Sequence, residues 1–403
     1  MLLLLALLQS TGVKVGEVSD TSALLWFRAD ATGRMRVAYD GRTSEWAEAV
    51  AERDFTHVFK LDGLKPSTLV EYAAEVEGRP ALRGCFRTAP TRDAAEDVVF
   101  TVITGQAYKD LDDAAGFKIY PAMAKLKPHF IVPTGDTVYY DNDPPLAATK
   151  ALARFHWERM YKLPRHVDFH LKVPGYWEKD DHDLIWNDCW PSMKVDRRLE
   201  FTFKEGVDLF REQVPMGEKT YRSARWGKRL EVWLVEGRDF RSANNAPDGP
   251  EKTIWGAEQK AWLKKGLLES DAEWKVLVSP TPIVGPDRGN KGDNHANAAF
   301  RHEGDELRRW FGEKLPKNFF IACGDRHWQY HSVHPQTKVQ EFSCGPASDQ
   351  HAGGSPRLDR EYHRFHRVKG GFLSVTVGRQ EGKPFIALRF HDVHGKVVHE
   401  HRR

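Results

Sequence analysis

The chain has 403 residues and a mass of 46.1 kDa, a length that suits two domains better than one. Apolar residues make up 40% and aromatics 11%, enough for a substantial core, while 29% charged residues and a mean hydropathy of -0.58 exclude a polytopic membrane protein and wholesale disorder. Lys and Arg total 60 against 57 for Asp and Glu, a net charge of +3 that leaves no basic excess for a nucleic-acid partner.

The first ten residues, Met1–Ser10, form an apolar run of signal-peptide length followed by small residues, but without a basic start or a clear cleavage site. Residues 1–12 are therefore expected to be a signal peptide or its remnant, giving a periplasmic, secreted or cell-surface protein, with a cytoplasmic one as the alternative. The run is too short to span a bilayer, so no integral membrane segment is expected. From 13 to 92 the pattern is short and strand-like. Ser22–Phe27, Met35–Tyr39, Phe55–Phe59, Leu69–Ala73 and Leu82–Thr88 are separated by turn-forming pairs such as Asp40-Gly41 and Asp62-Gly63. This spacing predicts a small β-sandwich.

After a linker the character changes. Val98–Ile103 is an apolar run of the kind a buried strand needs, and Tyr120–Leu126 reads as helix. Strands are predicted at His129–Pro133, Leu230–Val235, Trp274–Ser279 and Asn318–Cys323, and helices at Ala257–Leu268 and His302–Phe311. Gly371–Val377 and Pro384–Phe390 read as a hairpin, and the remaining C-terminus as short and charged. Residues 98–403 are thus expected to be one mixed α/β domain. Cys85, Cys189, Cys323 and Cys344 form no CxxC pair, which argues for scattered thiols and against a disulfide framework or zinc ribbon.

Four polar clusters follow predicted strands, where α/β folds place their sites. They are Thr104-Gly105-Gln106, Gly135-Asp136 with Tyr139 to Asp143, Asp180-Asp181-His182-Asp183 with Asn187 and Asp188, and Gly324-Asp325-Arg326-His327. A lone Gly-Asp is usually a turn, and a lone acidic run a solvated loop. Three clusters of hard oxygen with imidazole or a turn-forming glycine point instead to a hydrolytic metal centre of Fe, Zn, Mn or Ca type. Two metals about 3.5–4 Å apart suit phosphoryl transfer, and Asp136 is the candidate bridge. Asp181, His182, Asn187, Asp325 and His327 are the other candidate ligands. Arg238 is a candidate clamp on phosphate oxygens, His182 or His295 a candidate proton donor, and Asn294 and Arg326 candidates for the substrate rim.

These residues resemble the alkaline phosphatase D family of metallophosphatases. The resemblance rests on Gly-Asp-x-x-Tyr at Asp136 and Tyr139, on the acidic segment 180–183, on Arg238 and Arg241, and on Gly-Asp-x-His at 324–327, all in order. It implies a four-layer αββα catalytic domain behind a small all-β sandwich of immunoglobulin or fibronectin type, and hydrolysis of a small phosphoester by metal-activated hydroxide. In some members iron is held by cysteine and tyrosine beside calcium. Tyr139 matches that tyrosine and is thereby implied as a ligand. Gly105 stands where the pattern has cysteine, so the metals, expected to be two or more, remain open among Ca, Fe, Zn and Mn. Whether the ester is a monoester or diester is open too. Two other readings share the residues: a catalytically decayed carbohydrate- or surface-binding protein, and a structural calcium-binding protein.

Overall fold

The computed structural model describes residues 12–195 and 199–403; the apolar run Met1–Ser10 lies outside the described residues. The N-terminal part holds β1 (Val13–Gly16), β2 (Ser22–Arg28), β3 (Gly33–Tyr39), β4 (Arg42–Thr43), β5 (Ala47–Ala49), β6 (Thr56–Asp62), β7 (Leu69–Val76) and β8 (Leu82–Arg87). They form two antiparallel sheets, β1-β2-β6 and β4-β3-β7-β8, with β5 added to β3. Alternation sets the inward faces: Met35 and Val37 from β3, Phe59 and Leu61 from β6, and Val70, Tyr72 and Ala74 from β7 are all buried. Each of the five expected strand regions is found. The short β1, β4 and β5 were not expected, being two to four residues long.

The second part contains β9 (Val98–Ile103), α1 (Ile119–Ala124), β10 (Phe130–Pro133), α2 (Lys150–Tyr161), α3 (Pro164–His170), α4 (Phe203–Glu212), β11 (Arg222–Trp226), β12 (Leu230–Leu234), α5 (Gly256–Glu269), β13 (Trp274–Ser279) and α6 (Arg301–Lys314). It continues with β14 (Phe319–Cys323), β15 (Gln329–Val333), β16 (Gln340–Cys344), β17 (His363–Arg367), β18 (Phe372–Gln380), β19 (Lys383–His391) and β20 (Val397–Arg402). One sheet runs β10-β9-β18-β19-β20 and the other β11-β12-β13-β14-β16-β15-β17. Both are mixed: β9 and β10 are parallel, as are the neighbours among β12, β13, β14 and β16, while the remaining pairs are antiparallel. The short, charged C-terminus adds β20 to the sheet edge.

The period of two places the layers. Phe100 and Val102, Phe130 and Val132 point into one core with Val232 and Leu234, Val276 and Val278, and Phe320 and Ala322 of the other sheet. The intervening Ile103 and Ile131 face a second core with α1 to α4, and Trp233, Leu277 and Ile321 a third core with α5 and α6. Two sheets therefore lie face to face with helices on both outsides. Helix α4 shows why the chain turns helical there: Thr202 and Glu205 cap its start reciprocally. Among the described residues no helix is long and apolar enough to cross a membrane.

The N-terminal sheets join the second part intimately. Gly175 bridges Gly16 of β1 on one side and Ile131 of β10 on the other. Trp26 of β2 reaches into the helical layer, edge-on to Tyr161 at 5.4 Å, and its Nε1 donates to the Glu212 carbonyl at 2.8 Å. Tyr72 donates to the Leu171 carbonyl at 3.1 Å.

Candidate active site

The carboxyl ends of the parallel strands in the two sheets converge on one polar cluster. Asp136 follows β10, Asp325 follows β14, and the segment Asp180–Asp183 crosses between them. Gly135 has φ +92°, and a Cβ there would run into the backbone nitrogen of Asp180, so only glycine lets the two acidic segments approach. Asp183 locks that approach. Its Oδ2 accepts from the backbone N–H of Asp136 at 2.7 Å and of Asp180 at 3.1 Å, and its Oδ1 from Thr137 at 2.8 Å and Val138 at 3.1 Å.

Two groups that suit a cation result, and both contain Asp136: Asp136 with Asp181 and His182, and Asp136 with Asp180 and Asp325. Asp136 Oδ1, Asp181 Oδ1 and Asp180 Oδ2 are buried without a hydrogen-bond partner among the described residues. Buried carboxylates without donors are costly, and a hard cation is the group that satisfies them, so the donor set fits metal ions. Burial, together with Asp181 and Asp180 nearby, pushes the Asp136 carboxyl well above the usual range. Burial also pushes Asp180 up to about 7, with Arg238 pulling against it. For Asp181 burial works the same way, but Arg238 and His182 outweigh it and hold the carboxyl well below its ordinary value.

His182 is fixed through Nδ1, which donates to Asp141 Oδ1 at 2.6 Å, and its ring lies 4.4 Å from that of Tyr139. Burial opposes its protonation, yet Asp181 and Asp136 overturn that and lift it well above an ordinary imidazole. The Tyr139 hydroxyl lies 3.2 Å from Asp136 Oδ2, 3.5 Å from His327 Nε2 and 2.8 Å from His351 Nε2. Burial and Asp136 raise the phenol further.

Asp136, Tyr139, Asp181, His182, Asp325 and His327 are thus brought together, and other candidates are not. His295 is fully buried on Trp255, 4.8 Å away, with Nε2 held by Glu303 at 3.0 Å. Its position beneath α6 replaces the expectation of a proton donor. Asn187 is exposed and contributes only its backbone N–H, to Asp141 Oδ2 at 2.8 Å. Asn294 braces a loop by donating to Asp287 at 2.9 Å. Arg326 is buried among Asp287, Asp293 and Asp325. Arg238, 0% exposed, spends its Nε on Asp180 at 2.5 Å and lies 3.5 Å from Asp181, so it sits under the carboxylates as their counter-charge. Asp180 as a ligand candidate and His351 were missed. The four cysteines are free thiols, as expected, and Gly105 offers no donor.

The model of the PhoD-like phosphatase family matches residues 100–371, well over half of the chain. A solved structure of PhoD superposes with a TM-score of 0.78 at 16% identity, covering 97% of this chain and 88% of that one. A purple acid phosphatase, PPD1 from yellow lupin (Lupinus luteus) seeds, superposes with a TM-score of 0.66 at 11% identity, over 97% of this chain and 73% of that one. No curated protein matches the sequence. With the family model spanning the acidic strand ends, and metal-suited carboxylate groups at those ends, the chain belongs to the PhoD-like phosphatase family and is a metal-dependent phosphoesterase.

Proposed function

We propose that the enzyme works with two metal ions sharing Asp136, and that it cleaves small phosphoesters, monoesters or diesters, at that centre. The observation that carries this is the membership of Asp136 in both cation-suited groups, with one of its oxygens buried and unbonded. Asp181 and His182 would hold one ion and Asp180 and Asp325 the other, with Tyr139 and His327 completing the Asp136 side. Such a pair supplies Lewis-acid neutralisation of phosphoryl charge and lowers the pKa of water to near neutrality. The ions are drawn from Fe, Zn, Mn and Ca, since the donors are oxygen and imidazole.

The chain's own groups do the rest. Arg238 balances Asp180 and Asp181 and keeps them in place. Asp141 fixes the tautomer and direction of His182, so that Nε2 would present its lone pair to the ion shared with Asp181. Fully desolvated carboxylates leave little reorganisation for the reaction itself. The enzyme is further proposed to act outside the cytoplasm, on the support of Met1–Ser10 alone. Intact residues 1–12 on protein from the native cell would overturn that point.

The function is tested with p-nitrophenyl phosphate and bis-p-nitrophenyl phosphate, each with Fe, Zn, Mn or Ca added. Turnover of at least one ester with at least one metal is expected, and its ratio between the two substrates gives the preference. Absence of turnover under every combination overturns the assignment.

A further inference from the structure

We propose that His351 is a metal ligand on the Tyr139 side of the centre, delivering an imidazole nitrogen into the space that Gly105 leaves open. This rests on the two-metal reading above.

His351 lies in the loop after β16, and that loop is pinned to both sheets. Thr104 bridges Pro346, the Ala347 N–H donates to the Gly105 carbonyl at 3.2 Å, and the Gly353 N–H donates to the His327 carbonyl at 3.0 Å. Position 105 has φ +61°, and a Cβ there would lie 3.2 Å from Pro346 Cβ and 3.3 Å from His351 Cδ2. A side chain at 105 and the His351 ring thus compete for one volume. The loop histidine has it.

The polar atoms around Tyr139 argue for a cation. Asp110 Oδ2 lies 2.8 Å from His351 Nδ1, and an ionised carboxylate only accepts, so Nδ1 carries the proton and Nε2 presents a lone pair. That lone pair faces the Tyr139 hydroxyl at 2.8 Å, and Asp136 Oδ2 faces the same hydroxyl at 3.2 Å. His327 Nε2 is a third neighbour at 3.5 Å, and the two imidazole rings are 4.0 Å apart. A phenol has one proton to give. It cannot satisfy a carboxylate and a lone-pair nitrogen together, whereas a metal ion can take both along with the phenolate. The Asp110–His351 pair is the carboxylate–imidazole arrangement that orients metal ligands. Exchanging a soft thiolate for imidazole at this place favours borderline ions such as zinc or iron.

The full-length chain, stripped with chelator and reloaded separately with Zn(II) and Fe(III), tests this by metal count after gel filtration, by titration, and by the visible tyrosinate-to-iron charge-transfer absorption. Wild type is expected to hold two ions, and His351→Ala to lose one of them and the charge-transfer band. Asp110→Asn, which keeps the imidazole but loosens its orientation, is expected to weaken the same binding step about 10–100-fold, and it carries the test if His351→Ala does not fold. Wild-type metal count, affinity and spectrum in His351→Ala, or wild-type affinity in Asp110→Asn, overturn the assignment of His351 while leaving the two-metal reading in place. A wild-type chain that binds no metal overturns both.

Discussion

Replacing Asp183 with alanine probes the device that holds the acidic segments together. The carboxylate accepts four backbone N–H groups, from Asp136, Thr137, Val138 and Asp180, and is itself wholly buried. Each buried donor left without a partner costs about 1–3 kcal/mol. Four would cost about 4–12 kcal/mol, and with local relaxation the lower end, about 4 kcal/mol, is expected. That is a large share of the 5–15 kcal/mol that keeps a typical domain folded. Asn at 183 preserves one acceptor of two and turns a donor toward other donors, so about 2 kcal/mol or more is expected from Asp183→Asn. Urea unfolding followed by tryptophan fluorescence reads both, with Asp208→Ala, at an exposed pair with Lys204, as the control that should not change. A loss below about 1 kcal/mol for Asp183→Ala would refute the reasoning, because it would mean that water replaces the carboxylate at no cost.

Asp136→Asn is expected to lower p-nitrophenyl ester hydrolysis by about 10²–10³-fold or more while the far-ultraviolet circular dichroism stays unchanged. Dialysis against chelator should abolish turnover and lower Tm, reversibly, because each ion present at about 100 times its Kd contributes about 2.7 kcal/mol. Asp54→Ala removes the carboxylate that Arg28 pairs at 2.9 Å and one of the two acceptors of Gln213, at 3.0 Å, and leaves the buried guanidinium only Glu158 at 3.5 Å, so a loss of about 3 kcal/mol is expected by urea titration. His331, stacked on Phe342 and touching His399, is lowered by burial to about 3. The unfolded chain therefore takes up this proton first, at about 6.5, and stability falls as pH drops through that value. At pH 5 the loss is about 2 kcal/mol, and His331→Gln should remove most of it in stability measured against pH.

Apolar runs were legible wherever burial on both faces demanded them: Val98–Ile103 and Trp274–Ser279 are strands over those same residues. The strands β15, β17 and β20 were not, because Gln329, His331, His363 and His399 sit in polar sequence and are ordered by pairing with neighbours. The helices α2 and α3 were hidden in the same way, since Trp157, Met160 and His166 alternate with charges that face solvent. In the site, glycine beside aspartate marked Asp136 and Asp325 well, and both residues do adopt left-handed backbone, with φ 53° and 61°. Spacing could not tell which way a side chain turns, so Asn187 and His295 were included, though one faces solvent and the other Glu303. His351 carries no local mark at all. Only the crossing of the 345–354 loop over both strand ends brings it to Tyr139.

The double pairing of Gly175 has a practical meaning for anyone dividing this molecule. One residue is the seam along which the first eighty residues are sewn to the edge strand of the phosphatase sheet, and Trp26 is driven through that seam into the helices beyond. Cutting the chain at the apparent linker would bare an unpaired edge at Gly175, whose N–H donates to the Val15 carbonyl at 2.8 Å, and open a tryptophan-sized hole beside Tyr161, two injuries that invite aggregation. The sandwich behaves as a wall of the enzyme, and activity is to be sought in the whole chain.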